Sequence, residues 1–187
     1  MIVKNAAGTR GETAVRLFYA INFPKEVKDK LADMQNGLRR QLAAGRFTLY
    51  DNLHLTLVFI GEIPEHRAGA LFDIADALRF EPFELCIEGV GSFRRGGGHI
   101  LWAGVRENDR LQALYDRLSG DVRAAGYSVE ARRYTPHLTL AREAKFRPGA
   151  APAALQAPAG PIYTTVTKVS LMLSERIGGR LTYTEIR

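Results

Sequence analysis

The pattern His-Leu-Thr-Leu occurs twice in this chain, at positions 54–57 and 137–140, 83 positions apart. Its settings are Leu53-His54-Leu55-Thr56-Leu57 and Pro136-His137-Leu138-Thr139-Leu140, both apolar runs with strand character. Side chains in a strand alternate faces, so His54 and Thr56 share one face, about 6.6–7 Å apart along the strand. His137 and Thr139 do the same, and the leucines of both copies point the other way, into a core. A chain that repeats such a strand is expected to fold as two similar lobes whose motif strands face each other across a cleft.

Length and composition fit that expectation. With 187 residues, the default is one compact domain or two small lobes sharing a core. Hydrophobic residues make up 46% and charged residues 25%, which excludes a disordered chain, a collagen-like repeat and a disulfide scaffold. No apolar run approaches the ~20 residues that a membrane-spanning helix needs, so no membrane partner is expected. The single cysteine, Cys86, lies in the run Phe83-Glu84-Leu85-Cys86-Ile87 and reads as a buried small hydrophobe rather than a nucleophile. One thiol makes no internal disulfide, so nothing points to an oxidising compartment. The start, Met1 to Gly8, lacks the apolar segment of a signal peptide, and a cytoplasmic location is the default expectation. Residues 1–14 are expected to form a flexible extension and residues 15–187 one bilobal domain. The net charge of +6 favours anionic partners, nucleic acid first among them.

Hydrophobic periodicity predicts strands over 16–22, 53–60, 82–88, 99–105, 134–141, 166–173 and 181–186. It predicts helices over 25–43, 65–79 and 109–125, with Gly126 as the C-terminal cap of the last. The stretch Arg94-Arg95-Gly96-Gly97-Gly98 reads as a flexible basic loop, since no Lys-Ser or Lys-Thr follows to make a phosphate cradle. Residues 147–161, with four prolines, read as a surface loop or linker.

Two imidazoles and two hydroxyls converging on one point suit phosphoryl transfer to water. One histidine, neutral, takes a proton from the attacking water; the other, protonated, gives one to the leaving oxygen. An ordinary histidine pKa of roughly 6.5 permits either role near neutrality. The threonine hydroxyls would donate to the non-bridging phosphate oxygens. No cofactor is required, and His54 and His137 with two threonines would be a poor zinc set, lacking a third strong ligand. His66 and His99 stand alone, without metal-ligand spacing. A single His-x-Thr is ordinarily structural; its repetition in a chain of four histidines is what points to chemistry. Because the two copies are near-identical, their residues alone leave open which histidine is acid and which is base. The rival reading is a non-catalytic protein that holds an RNA end or nucleotide phosphate in the same cleft, for which Arg and Lys would be the more natural choice. Arg132-Arg133 either steers a polyanion towards the cleft mouth or is a solvated strand start.

The chain resembles the 2H phosphoesterases, named for paired His-x-Thr motifs. It looks most like the bacterial and archaeal RNA 2′,3′-cyclic phosphodiesterases, also called 2′-5′ RNA ligase-like proteins. The resemblance rests on Arg16–Ile21, on Asn52–Leu57 with Phe59-Ile60-Gly61-Glu62, on Leu101–Val105 and on Pro136–Arg142. It covers about residues 16–187. It implies an α+β fold of two pseudo-symmetric lobes, each an antiparallel sheet with outer helices, flanking a V-shaped cleft. It also implies metal-independent opening of an RNA-terminal 2′,3′-cyclic phosphate to a 2′-phosphomonoester, with His54 as proton donor to the 3′-oxygen and His137 as the group that activates water. The implied partners are RNA ends, tRNA fragments among them, or nucleoside 2′,3′-cyclic phosphates, and some members also join RNA halves reversibly through 2′-5′ linkages. A monomer suffices to form such a site. Arg142 matches the family's nucleotide-holding arginine, yet strict alternation from His137 turns it away from the cleft, and a bulge or a strand end after Ala141 is needed to bring it back. Phe18 is expected either to stack on a base or to serve in the core. The sequence departs from the family in a longer segment before Arg16 and in the Gly-rich loop after Phe93.

Overall fold

The architecture is given by a computed structural model that describes residues 13–131, 133–152, 155 and 160–187. Most of the expected extension lies outside the described residues, as do Arg132 and part of the 147–161 stretch. In chain order the described elements are β1 (Ala14–Asn22), α1 (Lys25–Arg39), β2 (Leu42–Phe47), β3 (His54–Pro64), α2 (Gly69–Ala77), β4 (Phe83–Arg95), β5 (Gly98–Val105), α3 (Asp109–Ala124), β6 (His137–Phe146), β7 (Ile162–Val166), β8 (Ser170–Ile177) and β9 (Arg180–Glu185). The strands divide between two antiparallel sheets, in the order β3-β1-β8-β9 and β2-β6-β5-β4-β7.

The fold is α+β with one motif strand in each sheet, but the lobes are not the two halves of the chain. The C-terminal hairpin β8-β9 returns to complete the first sheet, beside β1. The helices also cross over. Helix α1 leaves β1 of the first sheet and packs on β2, β6 and β7 of the second, which curls around it. Helix α3 leaves β5 of the second sheet and packs beside α2 under β3 of the first. One continuous apolar core results, running from Leu17 and Leu55 through Leu31 and Leu118 to Leu101 and Leu138. Cys86 is buried in the β4 wall.

Helix α1 buries Val27, Leu31, Met34 and Leu38, the stripe that the spacing predicts. It stops at Arg39, however, and Leu42 continues the core from β2 instead. Helix α3 starts at Asn108, whose side chain accepts from the Leu111 N–H at 2.9 Å. It ends as predicted at Gly126, φ +83°, where Tyr127 N donates to Val122 O (3.2 Å) and Gly126 N to Arg123 O (2.9 Å), a Schellman closure. The expected helix over 65–79 is a 3₁₀ turn at Glu65–Arg67 followed by α2. The expected basic loop is a tight hairpin: β4 runs on to Arg95, and only Gly96-Gly97 separate it from β5. The expected strand over 166–173 straddles a break between β7 and β8, where Lys168 pairs with Glu185 of β9.

Candidate active site

The two motif strands depart from regular pleating at the same place. In the β1–β3 ladder Tyr19 faces Val58 but Ala20 faces Thr56, so Leu57 is an extra residue. In the β5–β6 ladder Leu101 faces Ala141 but Trp102 faces Thr139, so Leu140 is extra. A bulge of this kind resets the alternation. Both Leu57 and Val58, and both Leu140 and Ala141, are buried in the core. The residue after each pair, Phe59 or Arg142, is thereby returned to the face that carries His and Thr. Of the two expected ways to turn Arg142, the strand shows the bulge, since β6 runs on to Phe146. The positive charge of Arg142 lowers the pKa of His54 and opposes the rise that burial gives the Tyr183 hydroxyl.

Phe59 is the counterpart of Arg142 in the first motif. Its ring is 49% exposed, and the Arg16 guanidinium lies 5.0 Å from its centroid. Alternation counted from Thr56 hides Phe59, so the spacing does not mark it as a site residue. A signal is present nonetheless: in both copies two adjacent apolar residues, Leu57-Val58 and Leu140-Ala141, follow the threonine. Phe18 takes the core role of its two expected ones. At 3% exposure it packs with Ala20 and Met172 on the cleft side of the first sheet and cannot offer a face to a base.

The two imidazoles are held alike. His54 Nδ1 lies 2.7 Å from Asn52 O, and His137 Nδ1 lies 2.8 Å from Thr135 O. A carbonyl oxygen only accepts, so Nδ1 carries the hydrogen in both rings and Nε2 is the nitrogen that can exchange a proton. In the first motif Thr56 Oγ1 stands 2.9 Å from His54 Nε2 and donates to it. Each ring is also boxed by two aromatics. Around His54 stand Phe18 (centroids 5.0 Å apart) and Tyr183 (5.1 Å, edge-on at 87°). Around His137 stand Phe93 (5.1 Å, edge-on at 86°) and Trp102 (6.4 Å). Trp102 lies flat against Gly91, where a Cβ would come within 2.2 Å of its ring, so glycine is what leaves the indole its place.

The first box is the more enclosed. Burial among these rings pushes the His54 pKa down to about 4; the Asn52 carbonyl hydrogen bond opposes that, and the charges of Arg142 and Lys28 add to it. Asn52 also holds the far side of the box, its carboxamide accepting from Tyr183 N (3.2 Å) and donating to Leu181 O (2.7 Å) as a strand neighbour would. Tyr183, Phe93, Trp102, Asn52 and Lys28 are not among the expected site residues; register between distant strands brings in Tyr183, Phe93 and Trp102, helix α1 brings in Lys28, and Asn52 lies in the short turn just before His54. His66 is exposed on its 3₁₀ turn, and His99 packs edge-on against Phe146 (5.2 Å). Among the described residues no three His, Cys, Asp or Glu side chains gather as a metal site, and no helix is long and apolar enough to cross a membrane.

A protein curated as RNA 2′,3′-cyclic phosphodiesterase of Escherichia coli K12 is 31% identical over 174 residues, 92% of this chain and 94% of its own length. The protein of the same description from Thermotoga maritima is 31% identical over 68% of this chain and 70% of its own. In structure, E. coli LigT complexed with 3′-AMP matches with a TM-score of 0.77 at 29% identity, covering 94% of this chain and 97% of that one. A crystal structure of a phosphoesterase matches with a TM-score of 0.78 at 28% identity, covering 94% of this chain and 97% of that one. The family model described as 2′-5′ RNA ligase superfamily matches residues 23–178, and it is to this superfamily that the chain belongs.

Proposed function

We propose that the protein hydrolyses RNA-terminal 2′,3′-cyclic phosphates to 2′-phosphomonoesters, with His54 and His137 as the acid–base pair. The observation that carries the reading is the paired geometry. Two histidines, each with its Nδ1–H given to a backbone carbonyl so that Nε2 is the nitrogen left to exchange a proton, stand on the two motif strands, each with a motif threonine two residues on and on the same face. The relatives described as RNA 2′,3′-cyclic phosphodiesterases support the same substrate class.

In the reaction, His137 Nε2 takes a proton from water as its oxygen attacks phosphorus. The bond from phosphorus to O3′ breaks, and protonated His54 gives its Nε2 hydrogen to O3′. The phosphate keeps its bond to O2′, so the product is the 2′-monoester. Thr56 and Thr139 donate to the non-bridging oxygens, and Arg142 neutralises the charge that builds on them. Phe59, exposed and backed by Arg16, offers a ring on which the terminal base stacks. An RNA 5′-hydroxyl in the place of water would be activated by the same His137 and would give a 2′-5′ linkage.

The test is hydrolysis of a nucleoside 2′,3′-cyclic phosphate in EDTA, resolving 2′- from 3′-monophosphate, for wild type, His54→Ala and His137→Ala. The expected result is a 2′-product formed by wild type and lost in both variants. Activity surviving either substitution would mean that the repeated motif is structural. No turnover by wild type of this compound or of a cyclic-phosphate-ended RNA would leave a phosphate-binding protein.

A further inference from the structure

We infer that Thr48 and Tyr134 form a brace that ties the lead of each motif to the other motif strand, and that they act as positioning residues for the reaction. The inference rests on the hydrolase reading above. Thr48 lies six residues ahead of His54, in the lead to the first motif, yet its hydroxyl donates to Thr139 O of the second at 2.7 Å. Tyr134 lies three residues ahead of His137, in the lead to the second motif, and its hydroxyl donates to Thr56 O of the first at 3.0 Å. The two acceptors are equivalent: each is the carbonyl of a motif threonine, directly before the bulge.

Those carbonyls are open to such partners for a topological reason. Strand β3 is the edge of its sheet, and β2 reaches along β6 only to Phe47, opposite Ala141. On this flank the Thr56 carbonyl takes its donor from the lead to β6 of the other sheet, and the Thr139 carbonyl takes its donor from Thr48, the residue that follows β2 along β6. Each brace is itself anchored. The Thr48 N–H donates to Leu140 O at 2.9 Å, and the buried Gln35 amide of α1 bridges Thr48 O and Leu140 O, both at 2.9 Å. The Tyr134 ring lies flat on Tyr115 of α3, centroids 4.1 Å apart and planes 6° from parallel. Burial raises the Tyr134 pKa, so its hydroxyl remains a donor. The crossed-over helices thus hold the crossed-over hydroxyls. Sliding one motif strand against the other would break the Tyr134 hydrogen bond directly, while Thr48 ties the lead of the first motif to β6.

That relative position is what the chemistry needs, because in-line displacement places acid and base on opposite sides of one phosphorus. A displacement of about 1 Å in such a geometry is worth about a hundredfold in rate. Thr48→Val and Tyr134→Phe remove each hydroxyl with little change of shape, and Tyr134→Phe keeps the ring on Tyr115. Steady-state hydrolysis of a nucleoside 2′,3′-cyclic phosphate should show kcat down about tenfold in each variant with KM within about twofold. The double variant should lose about the product of the two, since Tyr134 restrains the first motif strand and Thr48 the lead that enters it, at separate points. Thr48→Ser should turn over like wild type. Wild-type kcat in folded Thr48→Val and Tyr134→Phe, or a rise in KM at constant kcat, would overturn the brace. If Thr48→Val fails to fold, Tyr134→Phe and Thr48→Ser decide the question in the same way. A wild type without turnover refutes the hydrolase reading itself; an active wild type with unimpaired variants refutes the brace alone.

Discussion

If His54 is the general acid, substrate must bring it the proton that it lacks when the cleft is empty. Its pKa in the free protein is about 4, so at pH 6 only about 1% of the rings carry the charge. A cyclic phosphodiester bears one negative charge throughout this pH range. Placed about 4 Å from Nε2, that charge is worth about 4 kcal/mol at an effective dielectric constant of 20. At 1.36 kcal/mol per unit this is about three pKa units, which lifts His54 to about 7. Binding at pH 6 should then draw in about 0.9 proton, and binding at pH 8 about 0.1. The measurement is titration calorimetry of His137→Ala with a nucleoside 2′,3′-cyclic phosphate, in buffers of different ionisation enthalpy at one pH. That variant removes the base, so the ligand survives, and it removes the only other imidazole of the pair. The slope of observed heat against buffer enthalpy gives the proton count. An uptake near one at pH 6 that vanishes in the His54→Ala, His137→Ala double variant supports the acid assignment. Zero uptake at pH 6, with binding intact, would refute it and hand the acid role to the other histidine.

Three further outcomes follow from the same geometry. Since kcat reads the complex and kcat/KM the free protein, the alkaline limb of kcat should lie at higher pH than that of kcat/KM; coincident limbs would mean that substrate does not move the His54 pKa. The unfolded chain takes up a proton at position 54 below about pH 6.5, whereas the folded chain resists until about 4, so stability is intact above 6.5 and is lost as pH falls through that window. Urea unfolding at pH 7 and pH 4 should therefore show a loss in wild type about 2–3 kcal/mol larger than in His54→Asn, and equal losses would contradict the burial of this ring. Gly91→Ala sets a Cβ 2.2 Å from the Trp102 ring, which must shift; overpacking of this kind costs about 1–3 kcal/mol. Trp102 is the single tryptophan of the chain, so its fluorescence emission reports the displacement directly, and an unchanged spectrum with unchanged stability would contradict the close packing of this wall.

What is legible in the sequence is whatever depends on local period. The stripes of α1 and α3, the Gly126 cap and the shared face of each His-x-Thr pair all follow from spacing over a few residues. Strand β2 is not legible. Leu42-Ala43-Ala44-Gly45-Arg46-Phe47 has weak strand preference, and Leu42 sits four residues after Leu38, in helical register. Pairing with β6 decides its state, with Gly45 lying close enough to Ala144 that a Cβ would stand 3.3 Å from that backbone. The crossing of the two halves is hidden for a similar reason. Two copies of a motif imply two similar units, but not which strands complete each sheet or which helix covers it.

The two bulges lie between these cases. A strict period of two puts Phe59 and Arg142 on the wrong face, yet Leu57-Val58 and Leu140-Ala141 are adjacent apolar pairs at the same offset from each histidine. One exception to alternation is uninformative, because a buried strand tolerates apolar residues on either face. The same exception in both copies means that the irregularity is repeated along with the histidines. What is duplicated in this chain is therefore a bulged strand of six residues, and its last position is where the copies differ in chemical character, phenylalanine in one and arginine in the other, which the proposed reaction would use for a base and for a phosphate. Under that proposal the asymmetry of the cleft enters there, at residues that the four-residue pattern alone does not contain.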